Sequence, residues 1–525
     1  MSITSKDYIA FLTAVTAVYF ILPKKLQWLI LLAASMGFYV LSGWKGLLFL
    51  LVTAVITFLA ALRIEKANTA SKAAMGKLGD RASKAAERER VRKEKKRIFV
   101  LACIVIFGIW AVVKYSSMLI GTLQALLPAA DLSAASLRVE HFIVPLGISF
   151  YTFTAAGYVI DVSRKKYPAE HNFLKYLLFV SFFPHIIQGP FSRFDRLGRT
   201  LFAEHSFDYD RMARGMRRML LGYFMKLLVA DKLAPTVGMV MASPELYPGV
   251  YLFAAVIGYG IQLYADFAGY MHIMCGFCEI LGVGLEENFR QPYFSTSIQN
   301  YWQRWHMTLG HWYSDYIFYP CSMGKTAQKI GRRARERFGA RMGKLLPSYF
   351  AMIFVWTLTG LWHGARWTFV VWGWLNFALI VFSMQMEPVY ARMKSALHIN
   401  DASRWWRVVM IIRTFLLVSL LRIFYCSETV KGAARYIGLM FRPNWNLLAH
   451  PLRVFLTACA GEPATLFYIA AGTLVMFGVD LVKENKWERP VPWLLRGLAY
   501  GLMLSLIIMG AAQGNTGGGF MYAQF

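Results

Sequence analysis

Residues 301–312 read YWQRWHMTLGHW, and further along the chain residues 360–364 read GLWHG. Each stretch places a histidine beside a tryptophan, and a strongly basic segment separates the two. An ionisable side chain is costly to keep at membrane depth, so such a residue marks a functional site by default. We therefore take His363 and His306 as candidate catalytic residues. The alternative is that both Trp-His pairs anchor helix ends at the membrane interface, as aromatic belts do.

The composition around these stretches is that of a membrane protein. Of the 525 residues, 57% are apolar and 16% aromatic, with a mean hydropathy of +0.43, which excludes a soluble protein of several domains. The net charge of +28 does not indicate nucleic acid, because Lys and Arg sit between apolar runs, as positive-inside topology requires. Cys275 and Cys278 have suggestive spacing, but without a second pair we favour helix packing over metal or redox use. We expect no metal and no bound cofactor.

The apolar runs predict an all-α polytopic integral membrane protein. We expect about eleven transmembrane helices, among them 8–22 and 219–242, plus re-entrant and interfacial helices such as 173–187. The predicted organisation is N-terminal transmembrane helices in 1–62, a basic cytoplasmic loop in 63–97, a catalytic core in 98–400 and C-terminal transmembrane helices in 401–525. The basic loop holds thirteen Lys and Arg against five acidic residues. Its composition without proline indicates a solvated or surface-lying helix, with a charged spacer as the favoured role.

Two features inside apolar runs need an explanation, a Pro-Gly motif and a carboxylate. Pro145 and Gly147 lie so close together that they predict a broken helix, which is tolerated at membrane depth only inside protein or beside a water-filled cavity. Asp266 is a rare intramembrane carboxylate, and we expect its partner to be an Arg or His from the 290–310 region. A carboxylate that orients a histidine and one that caps a broken helix look identical in sequence, so its role stays open.

Transfer of an acyl group from a thioester to a hydroxyl fits these residues. The reaction needs one group to take the hydroxyl proton, and a neutral imidazole in an apolar site suits that task. His363 lies at a helix break that Gly360 and Gly364 would create, where a substrate backbone could approach closely. His306 could orient the acceptor or stabilise developing charge.

Several ordered motifs carry a resemblance to a known family. They include PLGISFYTF at 145–153, SFFP at 181–184, YADFAGY at 264–270, ENF at 287–289, the 301–319 stretch and LWHGA at 361–365. On these motifs the chain resembles the membrane-bound O-acyltransferase family, specifically its bacterial branch of alginate O-acetylation and teichoic-acid D-alanylation proteins. The family's catalytic histidine falls on His363. Its second polar position, which is Asn, Asp or His across the wider family, falls on His306.

The resemblance also implies an architecture and a set of partners. It implies helices around a central funnel in a bacterial inner membrane, in contact with membrane lipids, and a donor reached from the cytoplasm. In alginate-type systems the donor is expected to be acetyl-CoA, and an exported SGNH-esterase-like partner completes transfer to a polysaccharide acceptor. The D-alanylation relative takes its acyl group from a small carrier protein instead. The long basic loop, and Met271-His272 where alginate proteins tend to have Ser-Asp, leave the substrate open.

Further candidates for binding substrate or donor surround the two histidines. They are Asp266, Trp302, Arg304, Trp305, Trp362, Arg332 and Arg333. The last two belong to a basic loop at 325–344 that holds eight Lys and Arg against one Glu. Such a loop would attract the phosphates of CoA, but cytoplasmic loops also gather Lys and Arg for topology and anionic lipid, and we favour topology.

A different class of protein would also keep ionisable groups at membrane depth. In a polytopic transporter, His306, Asp266 and His363 could form a proton relay. Internal repeats would favour that interpretation, and the sequence shows none. We therefore favour the acyltransferase.

Overall fold

The computed structural model describes residues 3–127, 144–442, 463–487 and 492–512. Within these ranges the chain is helical, with one isolated antiparallel β-bridge between Phe289 and Trp305. The predicted all-α class is confirmed. The chain divides into two compact units, the first formed by Ile3–Gly215 with Phe277–Glu286 and the second by Met216–Gly276 with Glu287–Phe525.

The first unit begins with long helices and continues with short ones. They are α1 Lys6–Ile21, α2 Gln27–Lys77, α3 Arg81–Leu126, α4 Ile148–Ser163, α5 Phe173–Ser181, α6 Phe183–Ile186 and α7 Phe194–Leu201. A break at Gly43, where φ is 139° and ψ 94°, divides α2 into two helical parts. Glycine adopts this conformation at little steric cost because it has no Cβ.

The basic segment at 63–97 is helical, as its composition predicts, but it is not a loop. It comprises the end of α2, a turn at 78–80 and the start of α3. Asp80 caps α3, because its side chain accepts from the backbone N–H of Ser83. Arg90 forms an ion pair of 2.8 Å with Glu87, which lies three residues earlier on the same face of the helix. Good helix formers therefore extend the two helices well beyond their apolar parts.

The Pro-Gly motif at 145–147 starts a helix. Gly147 has a φ of 69° and precedes α4, and a Cβ at this position would collide with the backbone carbonyl of Ile186. Residues 128–143 lie outside the described residues. The structure therefore describes the break predicted at Pro145 and Gly147 only from its C-terminal side. The segment predicted as re-entrant is short and interrupted. Its first helix, α5, has 9 residues, too few for a hydrocarbon core of about 30 Å.

The remaining helices lie mostly in the second unit, and α8 and α10 cross the boundary between the units in the chain. The α-helices are α8 Tyr209–Phe224, α9 Asp231–Ala242, α10 Gly249–Leu281, α11 Ile298–Trp302, α12 Met307–Tyr313, α13 Tyr319–Ser322, α14 Lys325–His363, α15 Trp367–Ala396, α16 Arg404–Cys426, α17 Val430–Met440, α18 Pro463–Glu484 and α19 Trp493–Ala512. Two π-helical segments, Met225–Ala230 and Ser314–Phe318, join α8 to α9 and α12 to α13. Such segments occur frequently at functional sites.

The basic segment at 325–344 is also a helix, so the prediction of a loop there was wrong. It forms the first half of α14, which is interrupted at Gly339, where φ is 85°. Arg, Lys, Ala and Gln all favour helix, and the charge density that suggested a loop does not oppose helix in an exposed segment. Arg332 and Arg333 are both exposed on this half of the helix.

Eight helices of the described residues are long and apolar enough to cross a membrane. The predicted count of eleven is therefore not confirmed. One predicted span, 8–22, corresponds to α1, which has 16 residues. Another, 219–242, corresponds to a helical stretch with the π-helical segment and Asp231 inside it.

Close contact between α14 and α15 determines where α14 ends. A Cβ on Gly360 would lie 2.5 Å from the carbonyl oxygen of Phe369, and one on Gly364 would collide with the Phe369 ring. Gly373 approaches the carbonyl of Trp356 in the same way. The helix break at the end of α14 is thus as predicted, but Gly360 and Gly364 allow α14 to pack closely against α15. The prediction that they leave room for a substrate backbone was wrong, because α15 fills that space.

Candidate functional site

His363 is the last residue of α14 and is buried among aromatic rings. Its ring centroid lies 4.9 Å from that of Trp362, 5.1 Å from Trp372 and 5.2 Å from Tyr425, all at steep angles. The Tyr425 hydroxyl lies 3.3 Å from His363 Nδ1. Edge-to-face rings and a polar contact together hold the imidazole in one orientation.

His306 precedes α12 in the left-handed region, with φ 48° and ψ 50°. Few non-glycine residues adopt this conformation, although His does so more readily than most. Here the backbone around it is paired with 288–290. The N–H of Arg290 donates to the carbonyl of Arg304, and the N–H of Met307 donates to the carbonyl of Asn288, both at 3.0 Å. These bonds, together with the bridge between Phe289 and Trp305, hold His306 in place.

The side chain of Asn288 contacts the same turn. Its Oδ1 accepts from the Thr308 hydroxyl at 2.7 Å and from the Thr308 backbone N–H at 3.2 Å, and it lies 3.3 Å from His306 Nδ1. Phe267 packs edge-on against the imidazole, with centroids 4.9 Å apart. His306 lies outside the candidate spans, and burial lowers its pKa to about 3, so the ring is neutral at physiological pH.

Both histidines line one cavity of about 430 Å³. Trp302 and Trp305 line it as well, so the structure brings four of the predicted site residues together. Trp362 lies between the two histidines, with its ring centroid 5.6 Å from His306 and 4.9 Å from His363. Further lining residues come from α12, the second π-helical segment and α14, including Leu309, Ser314, Phe318, Met352, Trp356 and Thr359. An apolar, aromatic cavity with a few polar groups is typical of a ligand site.

The other predicted site residues lie elsewhere. Arg304 forms an ion pair of 2.7 Å with Glu484 and is not among the residues that line the cavity. Arg332 and Arg333 are exposed on α14 and do not line it. Asp266 is buried on α10 and does not line it either.

The prediction that Asp266 pairs with a residue of the 290–310 region was wrong. Lys226 donates to Asp266 at 2.7 Å and also lies 2.7 Å from Asp231, and all three side chains are buried. Gly222 and Gly269 let these helices approach, because a Cβ on Gly222 would lie 2.6 Å from the carbonyl oxygen of Gly269. The signal was present in the sequence. Lys226 and Asp231 interrupt an apolar run five residues apart, and charges of opposite sign in such a run predict a pair.

Sequence reasoning also missed Arg422, a buried cation on α16. Its guanidinium donates to the hydroxyls of Tyr293 at 2.7 Å and Tyr301 at 2.5 Å, and it lies 5.0 Å from the centre of the Trp305 ring. A void of about 10 Å³ lies beside it, lined also by His363 and Tyr425, which is room for about one water molecule. An arginine in the middle of an apolar run is the signal that could have found it.

The chain is similar in sequence to several known proteins. The model of the membrane-bound O-acyltransferase family matches residues 76–333. A "Probable alginate O-acetylase AlgI" of Azotobacter vinelandii is 30% identical over 83% of this chain and 77% of the relative. One of Pseudomonas aeruginosa is 29% identical over 92% of this chain and 82% of the relative. This chain belongs to the membrane-bound O-acyltransferase family.

The family assigns the chain to a reaction class. It is an O-acyltransferase and a multi-pass membrane protein, and the transporter alternative is set aside. A teichoic acid D-alanyltransferase of Bacillus subtilis is similar as well, with 26% identity over 51% of this chain and 65% of the relative. The relatives of this chain are thus named for different acyl groups and different acceptors.

Proposed function

We propose that the protein transfers an acetyl group from acetyl-CoA, bound as a substrate from the cytoplasm, toward hydroxyls of an exported cell-surface polysaccharide. The observation that carries the proposal is that His363 and His306 line the same cavity among aromatic side chains. The alginate O-acetylases support acetyl and polysaccharide as the two substrates, since they are similar over most of this chain. We place the protein in a bacterial inner membrane, where both substrates can reach it.

In the proposed reaction, His363 acts as the general base. Its Nε2 takes the proton of the acceptor hydroxyl while the oxygen attacks the thioester carbonyl. The tetrahedral intermediate then expels the thiolate, which receives the proton from His363, so that an ester and CoA thiol leave. The rings of Trp362, Trp372 and Tyr425 exclude water and fix the imidazole, which reduces competing hydrolysis.

The polysaccharide need not be the immediate acceptor. An exported SGNH-esterase-like partner that receives the acetyl group and passes it on agrees with the resemblance of the motifs to alginate-type proteins. D-alanyl transfer from a carrier protein to teichoic acid is the second candidate, and similarity to the Bacillus subtilis enzyme favours it. That similarity covers less of the chain than the similarity to the alginate O-acetylases, so we give acetyl transfer precedence.

Replacement of His363 by Ala tests the proposal. We expect acetyl transfer by the purified protein to fall by at least about 100-fold, the usual contribution of a general base, with the protein still inserted and folded. The assay follows radiolabelled acetyl-CoA into alginate oligosaccharides, and melting in detergent reports folding. His171→Ala is the control, because His171 is 75% exposed and belongs to the first unit. If His363→Ala kept a tenth of the activity, the assignment would be wrong.

A further inference from the structure

The orientation of the Asn288 amide can be determined from its contacts. A backbone N–H only donates, and the N–H of Thr308 points to Asn288 Oδ1 at 3.2 Å. The atom at that position is therefore the carbonyl oxygen and not the amide nitrogen. The amide nitrogen lies 3.6 Å from the sulfur of Met271, a weak acceptor, which agrees with the same orientation.

This orientation determines which nitrogen of His306 carries the proton. Asn288 Oδ1 can only accept, so the contact of 3.3 Å to His306 requires Nδ1 to donate. In the neutral ring, Nε2 then has a lone pair and no hydrogen. Because burial keeps His306 neutral, the residue can offer the substrate an acceptor at Nε2 but not a donor.

We propose that Asn288 is a positioning residue that holds His306 as a hydrogen-bond acceptor for the hydroxyl substrate. His306 then orients the acceptor and does not stabilise the oxyanion, the other role that its sequence left open. This inference rests on the proposed function, because it takes His363 as the base.

The division of roles also restricts the acceptor. A hydroxyl has one proton, and the hydroxyl that reacts gives its proton to His363. The hydrogen bond to His306 must therefore come from a second donor on the same acceptor. In a polysaccharide that donor is a neighbouring ring hydroxyl, so the site suits an acceptor with adjacent hydroxyls.

Two assays on the purified full-length protein separate the possible roles of His306. The first measures thiol release from acetyl-CoA without an acceptor, in which water attacks the thioester. The second measures acetyl transfer to alginate oligosaccharides. An oxyanion forms in both reactions, so a group that stabilises the oxyanion affects both. A group that orients the acceptor affects only the transfer.

We expect Asn288→Leu to lower transfer by about ten-fold or more while thiol release stays within about two-fold of the wild type. Asn288→Asp should keep most of the transfer, because a carboxylate oxygen accepts from the same donors. His306→Ala should lower transfer and spare thiol release in the same way as Asn288→Leu. Because it leaves Asn288 in place, it serves as the second variant if Asn288→Leu does not fold. Tyr436→Phe is the control. It removes a buried hydroxyl that donates to the carbonyl of Leu252 at 2.9 Å, and should change neither assay.

Parallel loss of both activities in Asn288→Leu and His306→Ala would overturn the inference, and so would wild-type transfer in either variant. Failure of Asn288→Asp to rescue would overturn the role of the accepting oxygen. Loss of His363 should lower both activities, so a fully active His363→Ala would overturn the proposed function and not the assignment of Asn288. If the wild type neither releases thiol from acetyl-CoA nor transfers its acetyl group, the proposed donor is wrong, and the same variants are compared with an acyl-carrier thioester in both assays. If it transfers the acetyl group but releases no thiol without an acceptor, methanol replaces water as the nucleophile in the first assay.

Discussion

Tyr425 gives His363 a hydrogen-bond partner at Nδ1. A phenol both donates and accepts, whereas the amide oxygen that contacts His306 only accepts. For Nε2 of His363 to act as the base, Nδ1 of the neutral ring must carry the hydrogen, and the Tyr425 hydroxyl at 3.3 Å can accept it both before and after Nε2 takes a proton. In this state both histidines have an oxygen acceptor at Nδ1 and a lone pair at Nε2.

Replacement of Tyr425 by Phe tests this contact. The change keeps the ring that packs on His363 and removes only the hydroxyl. Because Tyr425 does not line the large cavity, we expect kcat to fall by about ten-fold while KM for acetyl-CoA stays unchanged. Steady-state kinetics per folded molecule gives both values. An equal kcat loss in Tyr436→Phe, which removes a buried hydroxyl elsewhere, would instead indicate a purely structural effect.

The two histidines could be predicted from the sequence, but their partners could not. His306 and His363 stand out because an ionisable residue beside tryptophan is rare in an apolar segment. Asn288 lies 18 residues before His306, and Tyr425 lies 62 residues after His363. Tyrosine and asparagine are ordinary residues at such positions, and only the fold brings them to the histidines. Arg304 is the opposite case. Its position beside Trp305 predicted a place in the site, but its side chain pairs with Glu484 instead.

At the scale of helices, contact between α14 and α15 determines where His363 lies. Gly360 and Gly373 allow the two backbones to approach, and the chain turns between them immediately after His363. The sequence predicts a break at these glycines but not what fills the space. Glycine that admits a substrate and glycine that admits a neighbouring helix have the same local sequence.

Gly360→Val tests the packing of these helices. Its Cβ would lie 2.5 Å from the carbonyl oxygen of Phe369, so we expect a destabilisation of about 1–3 kcal/mol, typical of overpacking, together with a loss of activity. Thermal unfolding in detergent and the transfer assay measure the two effects. Gly438→Ala in α17 is the matched control, because nothing lies within 4 Å of its Cβ position. It should be neutral or slightly stabilising, and a Gly360→Val protein as stable as that control would contradict the close contact.

At the scale of the whole molecule, we attribute the net charge of +28 to positive-inside topology. The charges concentrate in segments such as 63–97 and 325–344, and both segments are helical. The charge density of these segments predicts that they face the cytoplasm. Their helical conformation was expected at 63–97 but not at 325–344. Positive-inside bias acts on composition alone, while helix propensity acts on the same residues independently.

Simultaneous replacement of Arg332, Arg333 and Arg335 by Gln tests the alternative that the basic half of α14 captures donor. All three side chains are exposed, and none lines the cavity, so we expect KM for acetyl-CoA to stay within about two-fold of the wild type. Kinetics at several salt concentrations provides the measurement. A raised KM with a flatter salt dependence would show that the arginines attract the phosphates of CoA.

The left-handed backbone at His306 also limits how this position can change during evolution. Apart from glycine, Asn, Asp and His are the residues that enter this region most readily. They are also the three residues that the resemblance of the motifs implies for this position in the wider family. Selection for a polar group alone would admit Ser, Thr or Gln as well. A residue that replaces His306 must therefore adopt the left-handed backbone of this turn as well as supply the polar group that the reaction needs.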